Sequence, residues 1–128
     1  MSAPHPICRS PRCTILLVDD EPLIRRLTAR ALADEDYDVL EAADGQDALE
    51  RLRLGATVDI VVSDVMMPRM TGLELARHVQ AEFPGVRMIL VSGYESGEHA
   101  PVPLLPKPFQ FPDLVALITR ALESRGTA

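Results

Sequence analysis

The sequence predicts an α/β fold, with a mostly parallel sheet covered by helices on both faces. Aliphatic runs such as Thr14-Ile15-Leu16-Leu17-Val18, Ile60-Val61-Val62 and Met88-Ile89-Leu90-Val91 lack polar alternation, as strands buried on both faces require. Segments with apolar residues at helical spacing separate them. The loops are short, so strands and helices alternate as βα units.

The elements follow in order. Residues 1–13 hold three prolines and little periodicity, and are expected to be a disordered leader before a single domain over 14–124. The first strand, Thr14 to Val18, ends in Asp19-Asp20-Glu21. Pro22 then suits the first turn of a helix, where its missing N–H has no intrahelical partner. That helix runs to about Ala33, with Ile24, Leu27, Ala31 and Leu32 expected on its inward face. An acidic turn, Asp34-Glu35-Asp36, leads to a weaker second strand over Tyr37 to Ala42. Asp44-Gly45 caps a second helix that turns Ala48, Leu49 and Leu52 inward and stops at Gly55. The third strand, Ile60 to Asp64, gives way to Met66-Met67-Pro68. Thr71-Gly72-Leu73-Glu74 then fits a capping box for a third helix carrying Leu73, Ala76, Val79 and Phe83. A fourth strand over Met88 to Val91 runs into Ser92-Gly93, and a short fifth, Leu104-Leu105, precedes Lys107-Pro108-Phe109. The last helix spans about Phe111 to Ser124, and 125–128 are expected to be a disordered tail.

Composition narrows the function. A chain of 128 residues has room for one domain with a core and not for two ordinary ones. The net charge of −6 argues against a nucleic-acid surface, which needs a basic stripe. No apolar run approaches the roughly 18 residues of a membrane span. The N-terminus lacks the apolar core of a signal peptide, which points to the cytoplasm. Cys8 and Cys13 have only His5 nearby as a further ligand, so two reduced thiols are expected rather than a metal site.

The parallel arrangement sets the carboxyl ends of four strands along one edge, where open α/β sheets bind ligands. That edge holds Asp19 and Asp20, Asp64, Ser92 and Lys107. Each has a bland reading: the aspartates and the serine as caps, the lysine as a surface cation. Together they form a constellation. Three converging carboxylates repel and raise one another's pKa. A hard divalent cation relieves that cost, and oxygen-only ligands select Mg²⁺ or Mn²⁺ over zinc. With an ammonium and a hydroxyl beside them, the group suits phosphoryl transfer onto a carboxylate.

The segments VDDEPLIRR, DVMMPRMTGLEL, VSGY and PKPF resemble, in order and spacing, the receiver domains of two-component response regulators. The resemblance covers about Thr14 to Glu123. It implies a flavodoxin-like, five-stranded parallel sheet of order 2-1-3-4-5. It also implies a phosphoacceptor taking a phosphoryl group from a histidine kinase or histidine phosphotransfer domain, and assisting its own phosphorylation and dephosphorylation rather than working as an enzyme. By position, Asp64 resembles the phosphoacceptor, Asp20 the direct Mg²⁺ ligand, and Asp19 the holder of metal-bound water. The Met66 carbonyl resembles the ligand that completes the metal shell. Ser92 resembles the hydroxyl that turns toward the phosphoryl group, Gly93 its small neighbour, and Lys107 the lysine that pairs with the acyl phosphate. The resemblance further implies a cis Lys107–Pro108 bond.

Two departures from the family stand out. Only fourteen residues, Gly93 to Pro106, separate Ser92 from Lys107, and they include three prolines. The usual helix between the fourth and fifth strands is therefore expected to be absent or vestigial. Signalling is then expected through an altered face around residues 94–105. Leu104 also stands where receivers usually carry Tyr or Phe, and Tyr94 is the nearest aromatic substitute. Bulky Met66 and Tyr94 beside the acceptor suggest slow self-dephosphorylation. The wording most resembles receivers of hybrid histidine kinases. The initiator methionine favours a stand-alone receiver over a piece of a kinase. One alternative is a pseudo-receiver, an interaction module without phosphorylation, though its usual missing acidic, acceptor or lysine residue is not seen. Another is an aspartate-dependent phosphohydrolase, but that class places Asp-x-Asp after the first strand, and this chain has adjacent Asp19-Asp20.

Overall fold

The structure is a computed structural model that describes residues 13–93 and 102–123. Five strands form one parallel sheet: β1 (Thr14–Val18), β2 (Asp38–Ala42), β3 (Ile60–Asp64), β4 (Arg87–Ser92) and β5 (Leu104–Pro106). Their order is β2-β1-β3-β4-β5. Four helices connect and cover them: α1 (Pro22–Ala33), α2 (Gly45–Arg53), α3 (Gly72–Glu82) and α4 (Phe111–Glu123). This is the expected α/β, flavodoxin-like topology. Residues 1–12 of the expected leader, the tail beyond Glu123 and the segment expected to lack a helix (94–101) lie outside the described residues. Cys13, expected in the leader, is instead ordered against β2, its carbonyl accepting from the Asp38 N–H at 3.0 Å.

Because successive strand residues point to opposite faces, the central strands feed two cores. Leu16, Val18 and Val61 pack with Leu49 and Leu52 of α2 and Leu75 and Val79 of α3. Ile15, Leu17, Ile60, Val62 and Ile89 pack with Leu32 of α1 and Leu114, Ile118 and Leu122 of α4. This double coverage explains why these strands read as unbroken aliphatic runs. Register places Val18 beside Ser63, and Asp64 beside Val91, so the strand ends carrying polar residues fall on one edge.

Local signals set the helix ends. Asp44 caps α2, accepting from the Asp47 N–H at 2.9 Å, and Gly55 takes φ 100° just past the end of that helix. The Thr71/Glu74 capping box is formed at α3 in both directions, at 2.9 and 3.2 Å.

The inward face expected for α1 is corrected. Ile24 and Leu27 are exposed (48% and 60%), as is Leu23. The helix turns Arg25, Thr28, Ala29 and Leu32 toward the sheet instead. Arg25 can sit there because its guanidinium donates to the Asp19 carbonyl at 2.8 Å and to Glu41 at 3.0 Å. Small Thr28 and Ala29 then let the helix lie close. The expectation for Cys13 is also corrected: it is buried and disulfide-bonded rather than reduced, with its partner outside the described residues.

Candidate functional site

The acidic pair follows β1 directly. Helix α1 has Glu21 as its N-cap and no side-chain cap bond, so Asp19 and Asp20 are not its capping residues. The Asp19 carboxylate accepts from the Glu21 N–H at 2.9 Å. The Asp19 carbonyl is held by Arg25, whose other bond to Glu41 ties the β1–α1 turn to β2.

Asp64 ends β3, and the chain then makes a tight loop into α3. Val65 keeps ladder pairing, its N–H donating to the Val91 carbonyl at 3.0 Å, and its own carbonyl accepts from Gly72 at 2.8 Å. Gly72 is required at that close approach: a Cβ there would stand 2.2 Å from the Asp64 carbonyl oxygen and 2.9 Å from a Leu90 methyl carbon. Met67 is buried in the α2/α3 core, while Met66 is exposed at the loop's crest. At Arg69 the backbone takes φ 69°, and the Met70 N–H donates to the Pro68 carbonyl at 2.7 Å, closing a left-handed γ-turn. The Arg69 guanidinium donates to the Asp44 carboxylate.

These loops enclose a cleft of about 280 Å³ lined by Asp19, Asp20, Asp64, Met66, Ser92 and Lys107, with Ile24 at its rim. One carboxylate oxygen from each of Asp19, Asp20 and Asp64 lies within 4.8 Å of the others. Lys107 Nζ, arriving after β5 beside a cis Lys107–Pro108 bond, stands 3.0 Å from Asp64 Oδ1. Ser92 is buried at the end of β4, and its carbonyl accepts from the Lys107 N–H at 2.6 Å. All six residues singled out from the sequence therefore converge.

The electrostatics follow from this crowding. Burial is the main influence on Asp64, and with the neighbouring Asp19 charge it overrides the contrary pull of Lys107, so the carboxyl is pushed up to about 6. Burial works against the Lys107 ammonium, but the Asp64 carboxylate outweighs it and its pKa is raised. Three oxygen donors of this hardness at this spacing suit Mg²⁺ or Mn²⁺ and offer no soft ligand for zinc or copper.

Residues 15–119 match the family model described as the response regulator receiver domain. The chain belongs to that family. Among curated relatives, this receiver is 42% identical over 120 residues to the sensor kinase CckA of Brucella abortus, covering 88% of this chain and 13% of that protein. It is 31% identical to the probable transcriptional regulatory protein TcrX of Mycobacterium tuberculosis, again over 88% of the chain and 51% of the relative. It thus spans about half or less of these proteins' lengths. Among solved structures, the receiver domain of the hybrid histidine kinase CckA matches at TM-score 0.74 and 37% identity, over 85% of this chain and 98% of that one. The response regulator TrrA of Thermotoga maritima, solved in complex with Mg²⁺-BeF, matches at TM-score 0.78 and 30% identity over the same shares.

Sequence reading alone missed two supports of the receiver's site. Arg25 and Glu41 brace the acidic turn, and Asp44 and Arg69 brace the loop after Asp64. Asp44 was legible as a cap, but nothing in the sequence marks its second partner. The exposed stripe of α1 was missed as well. Ile24 and Leu27, four and seven residues past Asp20, read from the sequence as part of a core face.

Proposed function

We propose that Asp64 accepts a phosphoryl group from a phosphohistidine of a histidine kinase or histidine phosphotransfer domain, with Mg²⁺ or Mn²⁺ held by Asp20, Asp64 and the Met66 carbonyl, and through water by Asp19. The observation that carries this reading is the convergence of three carboxylates within 4.8 Å with a lysine 3.0 Å from one of them. Of the three, Asp64 alone pairs with the lysine, which suits it to accept the group rather than only hold a metal.

In the transfer, an Asp64 oxygen forms a bond to phosphorus as the phosphorus–nitrogen bond breaks. The electron pair of that bond leaves with the imidazole, which takes a proton from water. With its pKa near 6, Asp64 is ionised at neutral pH and able to attack. A bound divalent cation supplies the positive charge that offsets the phosphoryl oxygens. Lys107 exchanges its hydrogen bond from the Asp64 carboxylate to a phosphoryl oxygen, and the Ser92 hydroxyl donates to another. Hydrolysis of the acyl phosphate resets the domain, slowly because the Met66 side chain beside the cleft cannot orient water. The chain thus assists its own phosphorylation and dephosphorylation in the cytoplasm rather than turning over a separate substrate.

The exposed Leu23, Ile24 and Leu27 support a protein donor. Ile24 and Met66 both line the cleft, so an apolar surface borders the acceptor where a helix bearing the histidine would lie. Output runs through the face around 94–105, of which residues 102–105, leading into and forming most of edge strand β5, are described.

Incubation with acetyl phosphate and Mg²⁺ followed by intact mass tests this reading. A phosphate adduct is expected in the wild type and not in Asp64→Asn. Equal labelling of both proteins would refute it.

A further inference from the structure

We propose that the Asp44–Arg69 pair is a clamp that holds the acceptor loop so that the Met66 carbonyl faces the metal position. The inference rests on the reading of Met66 as a metal ligand given above. It assigns positioning roles to two residues that do not line the acidic cleft.

Arg69 occupies a backbone conformation that a side chain disfavours. At φ 69°, closed by the Met70-to-Pro68 bond of 2.7 Å, the left-handed γ-turn is a strained arrangement for any residue but glycine. Such a turn persists only when its surroundings over-determine it. Around it the loop is anchored at three points. Met67 is buried on one side, Thr71 and Gly72 are bonded into α3 and Val65 on the other, and Arg69 reaches across to Asp44. Met66 is the one loop residue that is both exposed and a lining of the cleft, so its backbone orientation follows from these anchors.

Asp44 is suited to this second task. Its side chain is almost fully buried at the start of α2. One carboxylate oxygen caps the helix through the Asp47 N–H, and the other accepts from Arg69. Burial alone would push its pKa up, but Arg69 and the backbone donors of Asp47 and Gln46 outweigh that and hold it below the usual range. The pair is therefore a charge-assisted bond with one end fixed in the core. Gly45 adds to the fit: a Cβ there would meet the Met70 side chain at 3.1 Å, so the loop lies directly on the first turn of α2.

The test is calorimetric titration of the unphosphorylated protein with MgCl₂. Asp44→Asn keeps a good N-cap and removes the charge. Arg69→Ala carries a similar backbone penalty at positive φ and removes the side chain beyond Cβ, the guanidinium with it. Each is expected to weaken Mg²⁺ binding by roughly ten-fold, as loss of a support behind a metal ligand does. The double variant is expected to be no weaker than either single one, because both break one interaction. Arg69→Lys is expected to recover part of the loss. Arg53→Ala, which breaks the Arg53–Glu82 pair between α2 and α3, is expected to leave the affinity unchanged. Wild-type affinity in folded Asp44→Asn, or losses that add in the double variant, would overturn the clamp while leaving the metal site standing. If Arg69→Ala does not fold, Asp44→Asn decides alone. A wild type whose Mg²⁺ binding is absent, or survives Asp20→Asn, would overturn the metal site and the clamp together.

Discussion

Lys107 reaches Asp64 at 3.0 Å across β4, the strand that separates their own. The contact therefore reports the register of three strands at once and needs β5 to be in place. It also balances the charge at Asp64. Burial and Asp19 raise the Asp64 pKa, and Lys107 opposes them. Lys107→Ala in metal-free buffer should leave the two raising influences unopposed. Carbon-13 NMR of the Asp64 carboxyl should then titrate above the wild-type value of about 6. A midpoint at or below the wild type's would contradict this balance.

The raised Asp64 pKa sets the sign of a pH dependence. Its ordinary value is about 4, so the unfolded chain releases this proton first as pH rises. Between pH ~4 and the folded value of about 6, the folded state holds a proton that the unfolded state has lost, so this group makes stability fall as pH rises. Asp44 and Glu82 are lowered, the latter to about 2, so the stability they contribute is lost only as pH drops below the ordinary range. Urea melts in EDTA should show Asp64→Asn lacking a loss of about 1–2 kcal/mol across that window, after allowing for solvent screening. Mg²⁺ affinity of the wild type should rise through the same window as the competing proton leaves. A flat affinity from pH 5 to pH 7, roughly a unit either side of the midpoint, would count against Asp64 as a ligand.

Gly72 joins the fold to the site more tightly than any other glycine described. Gly72→Ala puts a methyl 2.2 Å from the Asp64 carbonyl oxygen, a backbone atom that cannot rotate away. Helix α3 must retreat from β3, which also moves the loop between Asp64 and Thr71. The expected cost is about 3 kcal/mol, at the upper end for overpacking, read as a lower urea midpoint. Mg²⁺ affinity should fall with it. A variant as stable as the wild type would show that the two elements are not in contact here.

Much of this was legible in the residues, for identifiable reasons. Strand β3 shows no alternation because Val61 faces one core and Val62 the other, and its aspartate falls where the sheet ends. Ser92 and Lys107 were legible because Ser92 is the last residue of β4 and Lys107 directly follows β5. Helix α1 was not, because its sequence carries two adjacent stripes. Leu23, Ile24 and Leu27 make the more apolar one, yet the stripe with Arg25, Thr28, Ala29 and Leu32 faces the sheet. Hydropathy alone rejects an arginine facing the sheet; the Asp19 carbonyl and Glu41, brought together only by the tertiary fold, accept it half-buried there. The turn at Arg69 was illegible for a related reason, since arginine gives no hint of positive φ.

The exposed stripe of α1 yields the test that separates docking from chemistry. Leu27 is 60% exposed and Leu23 is 71% exposed, so replacing either with glutamine removes little buried area. Stability should change by no more than about 0.5 kcal/mol. Labelling by acetyl phosphate should be unchanged, because the small donor meets only the cleft. Phosphotransfer from a histidine kinase or phosphotransfer domain that labels the wild type should slow by about ten-fold, the usual loss when an apolar anchor leaves a protein interface. Rapid-quench kinetics with both donors distinguishes the cases. Equal slowing with both would mean that the substitutions disturb the cleft itself, and unchanged transfer from the protein donor would place its docking surface elsewhere.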